Sequence, residues 1–74
     1  MATIIITNPI NDELCRTRTI PKEFEGCSNF EWYFTQWDFH FCLSCCNGFF
    51  TLMMSEHPDD FLDWQQVPQW ELNK

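Results

Sequence analysis

From Trp37 to Ser55 the chain reads WDFHFCLSCCNGFFTLMMS, two apolar-rich arms joined by Asn47-Gly48. A two-residue type I′ turn needs positive φ at both central residues, and asparagine followed by glycine meets that need at the lowest cost. The stretch therefore predicts a β-hairpin over 37–55. The turn sets the register, placing Cys46 opposite Phe49, Cys45 opposite Phe50, Leu43 opposite Leu52, Phe41 opposite Met54 and His40 opposite Ser55. Side chains alternate with period two, so Trp37, Phe39, Phe41, Leu43 and Cys45 share a face with Phe50, Leu52 and Met54. That face is the expected core. The other face carries Asp38, His40, Cys42, Ser44 and Cys46 opposite Phe49, Thr51 and Met53, a mixed surface.

Upstream, Thr3 to Thr7 (TIIIT) is a β-branched run ended by Asn8-Pro9, and it predicts a strand. Leu14 to Ile20 (LCRTRTI) alternates up to Pro21 and predicts a second strand paired with the first. Residues 28–36 carry two signals. Ser28 and Glu31 fit a capping box, with Phe30, Phe34 and Trp37 at helical spacing, whereas Phe30, Trp32 and Phe34 also alternate as in a strand. A strand running unbroken into 37–46 would be unusually long, so the segment is read as a two-turn helix, with a strand as the alternative.

Downstream, His57-Pro58-Asp59-Asp60 has the features of a helix start: proline in the first turn and acids at the positive end of the macrodipole. A helix over 58–66 would gather Glu56, Asp59, Asp60 and Asp63 on one side and turn Phe61 and Trp64 toward the sheet. Pro68 ends it, leaving Gln69 to Lys74 as a frayed tail or a short edge strand anchored by Trp70. The expected fold class is α+β: a small antiparallel sheet centred on the 37–55 hairpin, with short helices at 58–66 and 28–36, in a single domain spanning 1–74.

The chain has 74 residues and thirteen aromatics, and a domain near this size buries only about 60% of its unfolded surface. Some of the aromatics are thus expected at a partner or self-association surface. Formal charge is −7, and from Glu23 to Glu71 there are nine acids and no lysine or arginine. Such a field repels nucleic acid and anionic membranes and speeds encounter with a basic protein surface. It also keeps an aromatic-rich chain soluble, which is the plainer account of it. The N-terminus lacks a basic region ahead of an apolar run, and no apolar stretch approaches the ~18 residues of a membrane span. These features predict a cytoplasmic protein with reduced thiols.

Cys42, Cys45 and Cys46, with His40 or His57, suggest a zinc-stabilised interaction module, since structural zinc takes four thiolate or imidazole ligands. A second close-spaced pair is missing, and the predicted hairpin sends Cys42 and Cys45 to opposite faces. No metal or cofactor is therefore expected, and the zinc module stands as the alternative. His40 and Cys42 would lie about 6.6 Å apart on one strand face. A catalytic thiol also needs an oxyanion site and a pocket, for which two glycines in 74 residues leave little material, so an enzyme is not expected.

The expected function is a non-enzymatic inhibitor or adaptor. Glu56, Asp59, Asp60 and Asp63, with Trp64 and Trp70 as aromatic anchors, would meet the basic surface of a nucleic-acid-handling protein or complex. Acids at i, i+3 and i+4 stand about 5 to 6 Å apart, near the spacing of successive phosphates, which suits nucleic-acid mimicry. In size, acidity and lack of motif the chain resembles small phage proteins that disable host defences, such as anti-CRISPR and anti-restriction factors. That resemblance implies a protein partner, and the acidic field argues against direct contact with nucleic acid. A further alternative is an obligate homo-oligomer with an aromatic interface.

Overall fold

The computed structural model describes residues 1–73. More than half of them lie in seven strands: β1 (Thr3–Thr7), β2 (Cys15–Thr19), β3 (Asn29–Gln36), β4 (Phe39–Cys46), β5 (Phe49–Ser55), β6 (Gln65–Gln66) and β7 (Trp70–Asn73). The only helical elements among the described residues are single 3-10 turns at Lys22–Phe24 and Phe61–Asp63. The chain is therefore an all-β protein with two antiparallel sheets, which corrects the α+β expectation. Among the described residues, no helix is long and apolar enough to cross a membrane.

Two compact units divide the chain: Cys27–Val67, and Met1–Gly26 with Pro68–Lys74. The first holds a four-stranded sheet in the order β3-β4-β5-β6. Its centre is the Asn47-Gly48 hairpin, where φ is 52° and 83° at the two turn residues. All five strand pairings expected from the turn are present, from Cys46 opposite Phe49 to His40 opposite Ser55. Phe41 and Leu43 are fully buried, Leu52 is 1% exposed, and Phe39 and Cys45 are also buried. Phe50 and Met54, on the same face, are half-buried.

Residues 28–36 form strand β3, not a helix, and the reason lies at its end. Gln36 pairs with Phe39, so Trp37 and Asp38 are themselves a two-residue turn, with φ of 54° and 63°. Neither is a usual residue for its place in that turn, and a bulky side chain in the left-handed region costs about 1–2 kcal/mol. Trp37 consequently belongs to a turn, not to the arm of the 37–55 hairpin. Offsetting that strain, β3 contributes Phe30, Trp32 and Phe34 to the face already carrying Phe41, Leu43 and Cys45. Phe34 stacks on Phe41 at 5.3 Å with the rings 12° apart, and Trp32 lies 4.5 Å from Phe34. Each such aromatic pair contributes about 0.5–1.5 kcal/mol beyond the area it buries.

The predicted helix over 58–66 is also absent. The Asp60 side chain caps one 3-10 turn by accepting from the Leu62 amide at 3.0 Å, the Asp63 amide closes that turn on the Asp60 carbonyl, and Gln65–Gln66 then pairs with Met53–Met54 as strand β6. Val67 continues the ladder by donating to the Leu52 carbonyl at 2.9 Å and is buried.

The second unit is a three-stranded sheet ordered β2-β1-β7. The β-branched run of β1 pairs on one side with β2, Ile4 opposite Arg18, and on the other with β7, Ile4 opposite Leu72 and Ile6 opposite Trp70. Ile4 and Ile6 are fully buried. The segment after Pro68 is thus an edge strand, one of the two alternatives the sequence allowed. Asn8, also buried, organises the β1–β2 connection: its side-chain oxygen accepts from the Ile10 and Asn11 amides at 2.8 and 2.9 Å.

Candidate functional site

The connection from β5 to β6, residues 56–64, holds most of the side chains that the sequence singles out. It is built around one carboxylate. Asp63 Oδ2 accepts from the Ser55 hydroxyl at 2.8 Å, the Glu56 amide at 3.0 Å and the His57 amide at 2.9 Å. The Ser55 hydroxyl in turn accepts from the His57 amide at 3.0 Å, and Ser55 is buried. These donors favour the charged form: first the Ser55 hydroxyl, then the His57 amide, hold the Asp63 carboxyl below the ordinary carboxylate range. Asp63 thus fastens the two ends of the loop together.

The rest of the loop is tied down in the same way. The Asp60 amide donates to the His57 carbonyl, the Asp63 amide donates to the Asp60 carbonyl, and the Trp64 indole N–H donates to the Pro58 carbonyl at 3.2 Å. The Trp64 ring meets Tyr33 of β3 edge-on at 6.2 Å. Tyr33 occupies the same cross-strand row as Cys42 and Met53, on the sheet face opposite the aromatic one. Cys42 there is only 5% exposed. Tyr33 also donates to Glu31 at 3.3 Å. Hydrogen bonding to Cys42, then the negative charge that Cys42 and Glu31 bring to the ring, push the phenol pKa up to about 12.

Of the expected partner-binding residues, Glu56, Asp59 and Asp60 are exposed on this loop, while Asp63 and Trp64 are partly withdrawn into it. Without a helix, the even stripe of carboxylates at i, i+3 and i+4 does not form, and the spacing argument for phosphate mimicry goes with it. Trp70 belongs to the other unit, on β7. A helix over 58–66 would also turn Phe61 toward the sheet. Instead Phe61 is 81% and Leu62 78% exposed, side by side within the 3-10 turn.

The candidate zinc ligands do not converge. Cys42 lies beside Ser44 on one face of β4, with the two side chains 3.5 Å apart, while Cys45 on the other face donates to the Ser28 carbonyl at 3.4 Å. Cys46 is exposed. Among the described residues, no three of histidine, cysteine, aspartate and glutamate gather around a point where an ion could sit. At the far end of the sheet, Thr35, Gln36, Trp37, Asp38 and His40 line an open recess of about 490 Å³.

Charge divides sharply between the units. Cys27–Val67 carries six carboxylates (Glu31, Asp38, Glu56, Asp59, Asp60 and Asp63) and no lysine or arginine, a formal charge of −6. The other unit sets five carboxylates against four cations, for a formal charge of −1. No protein-family model, curated protein or solved structure matches the chain.

Proposed function

We propose that the chain is a non-enzymatic binding protein whose acidic unit docks on the basic surface of a nucleic-acid-handling protein and inhibits it, in the manner of phage anti-defence factors. The observation that supports this reading is the concentration of six negative charges, and no lysine or arginine, in Cys27–Val67. A one-signed field of that kind steers encounter with a cationic surface and disfavours other partners. Its exposed members Glu56, Asp59 and Asp60 lie on a loop fastened at both ends, so they are presented without a large ordering cost on binding.

The test is capture from an extract of the native host, run beside a Glu56→Gln, Asp59→Asn, Asp60→Asn variant. These substitutions remove charge, while the side-chain amide introduced at position 60 keeps an oxygen for the Leu62 amide. The expected result is that the unaltered chain retains a basic nucleic-acid-binding protein that raised salt releases and the variant fails to hold. Equal retention by the variant, or retention only of proteins with no basic surface, would overturn the reading.

A further inference from the structure

Phe61 and Leu62 are an unusual pair for the end of a well-ordered loop. Two large apolar side chains about four-fifths exposed lose the favourable transfer that burial would give. Nor does local disorder place them there. Asp60 fixes the Leu62 amide, the Asp63 amide closes on the Asp60 carbonyl, Asp63 holds the Ser55–His57 end, and Trp64 is pinned to Pro58 and Tyr33. The backbone that carries the pair is therefore held in place. Its sequence neighbours on one side are Asp59 and Asp60, both exposed.

We infer that Phe61 and Leu62 are the apolar anchor of a docking loop. They would enter an apolar pocket rimmed by arginine or lysine on the partner, while Glu56, Asp59 and Asp60 meet the cationic rim. The inference rests on the proposed function and adds to it where the contact is centred. Anchors of this kind carry most of the energy of an interface when a ring of polar contacts excludes water around them. Charge complementarity selects the occupant. A second copy would bring its own unit of charge −6 against this one, whereas a basic surface meets both the anchor and its rim. The ordered loop matters too, because a backbone held in place before binding loses less entropy than a flexible one.

Two synthetic peptides of equal positive charge test this, one of arginine with polar spacers and one of arginine with leucine and tryptophan spacers. Each is titrated against the unaltered chain and against Phe61→Ser, Leu62→Ser, whose substitutions lie on the surface and should leave the melting temperature in place. The expected result is that the apolar-spaced peptide binds the unaltered chain at least tenfold tighter than the polar-spaced one. The double variant should lose that advantage and keep its affinity for the polar-spaced peptide. If the variant binds both peptides as the unaltered chain does, the anchor is refuted while the charge-based reading stands. If neither peptide binds the unaltered chain, the charge-based reading fails and takes the anchor with it. Sedimentation of both chains completes the test: a dimer of the unaltered chain that the double variant dissolves would make the pair a self-association contact and overturn the proposal.

Discussion

At the scale of single residues, two turns in one sheet use the same backbone with different chemistry. Asn47-Gly48 and Trp37-Asp38 both place two consecutive residues at positive φ, but only the first has the residue types that adopt it cheaply. Exposed Asp38 and exposed Gly48 occupy the same second position, so substitutions there should act in opposite directions. Gly48→Ala meets no atom within 4 Å of the added Cβ, yet its φ of 83° should cost about 1 kcal/mol. Asp38→Gly should stabilise by a few tenths of a kcal/mol up to about 1, limited by the entropy glycine adds to the unfolded chain. Urea denaturation of the two variants beside the parent gives both signs; two changes of the same sign would contradict the assignment of paired type I′ turns.

Asp63 is the second residue whose role goes beyond exposure. Its carboxyl is held below the ordinary range by the hydroxyl and amides it accepts from, so it binds its proton less readily folded than unfolded. Its stabilising contribution is then complete above the unfolded aspartate pKa of about 3.9 and is lost as pH falls below that value through the depressed folded one. Asp63→Asn should melt below the parent at neutral pH, and the difference should shrink as the solution is acidified through that window. A gap that stays constant with pH would mean the charge on Asp63 does not hold the loop.

At the scale of elements, what was legible followed the strength of local signals. The hairpin was readable to the individual pairing over 40–55, though not at Trp37, because Asn-Gly fixes register and a one-residue slip would turn Phe41 and Leu43 outward. β1 was readable from a β-branched run and β2 from an alternating one, each ended by a proline. β3 was misread because the turn that separates it from β4 is Trp37-Asp38, which carries no turn signal, and Ser28 and Glu31 imitate a helix start. The segment 58–66 has the composition of a helix, but Asp63 reaches back to Ser55 and its neighbours in place of facing solvent. Hydrogen bonds to residues seven and eight positions back thereby override helical propensity. The same misreading hid the candidate anchor, since the helical wheel sent Phe61 inward, while Glu56, Asp59 and Asp60 were legible as exposed acids whatever the backbone did. The pairing of β4 with β3 on one side and β5 on the other predicts unequal costs on the two faces. Leu43→Ala, at a fully buried position, should lose about 2–5 kcal/mol, whereas Phe49→Ala, at a position 79% exposed, should stay within about 0.5 kcal/mol of the parent in the same denaturation measurement.

At the scale of the whole molecule, the feature left to account for is a charge of −7 with six of those units in Cys27–Val67. Like charges on one compact unit repel one another in the folded state and separate when the chain unfolds, so the electrostatics of this unit oppose its folding. The N-terminal ammonium pairs with Glu25 at 3.7 Å, but that contact belongs to the other unit and joins two solvent-accessible groups, so it contributes little. Added salt should therefore raise the melting temperature, because the Debye length falls from about 30 Å at 0.01 M to about 8 Å at 0.15 M and repulsion across the loop and sheet is screened. The same addition should weaken binding to a basic partner. These opposite responses separate a field retained for recognition from one that serves solubility alone: both accounts predict the gain in stability, and only the first predicts the loss of binding. Melting curves and partner titrations over one salt series distinguish them, and a binding constant that does not move while stability climbs would leave the acidic unit with no part in recognition.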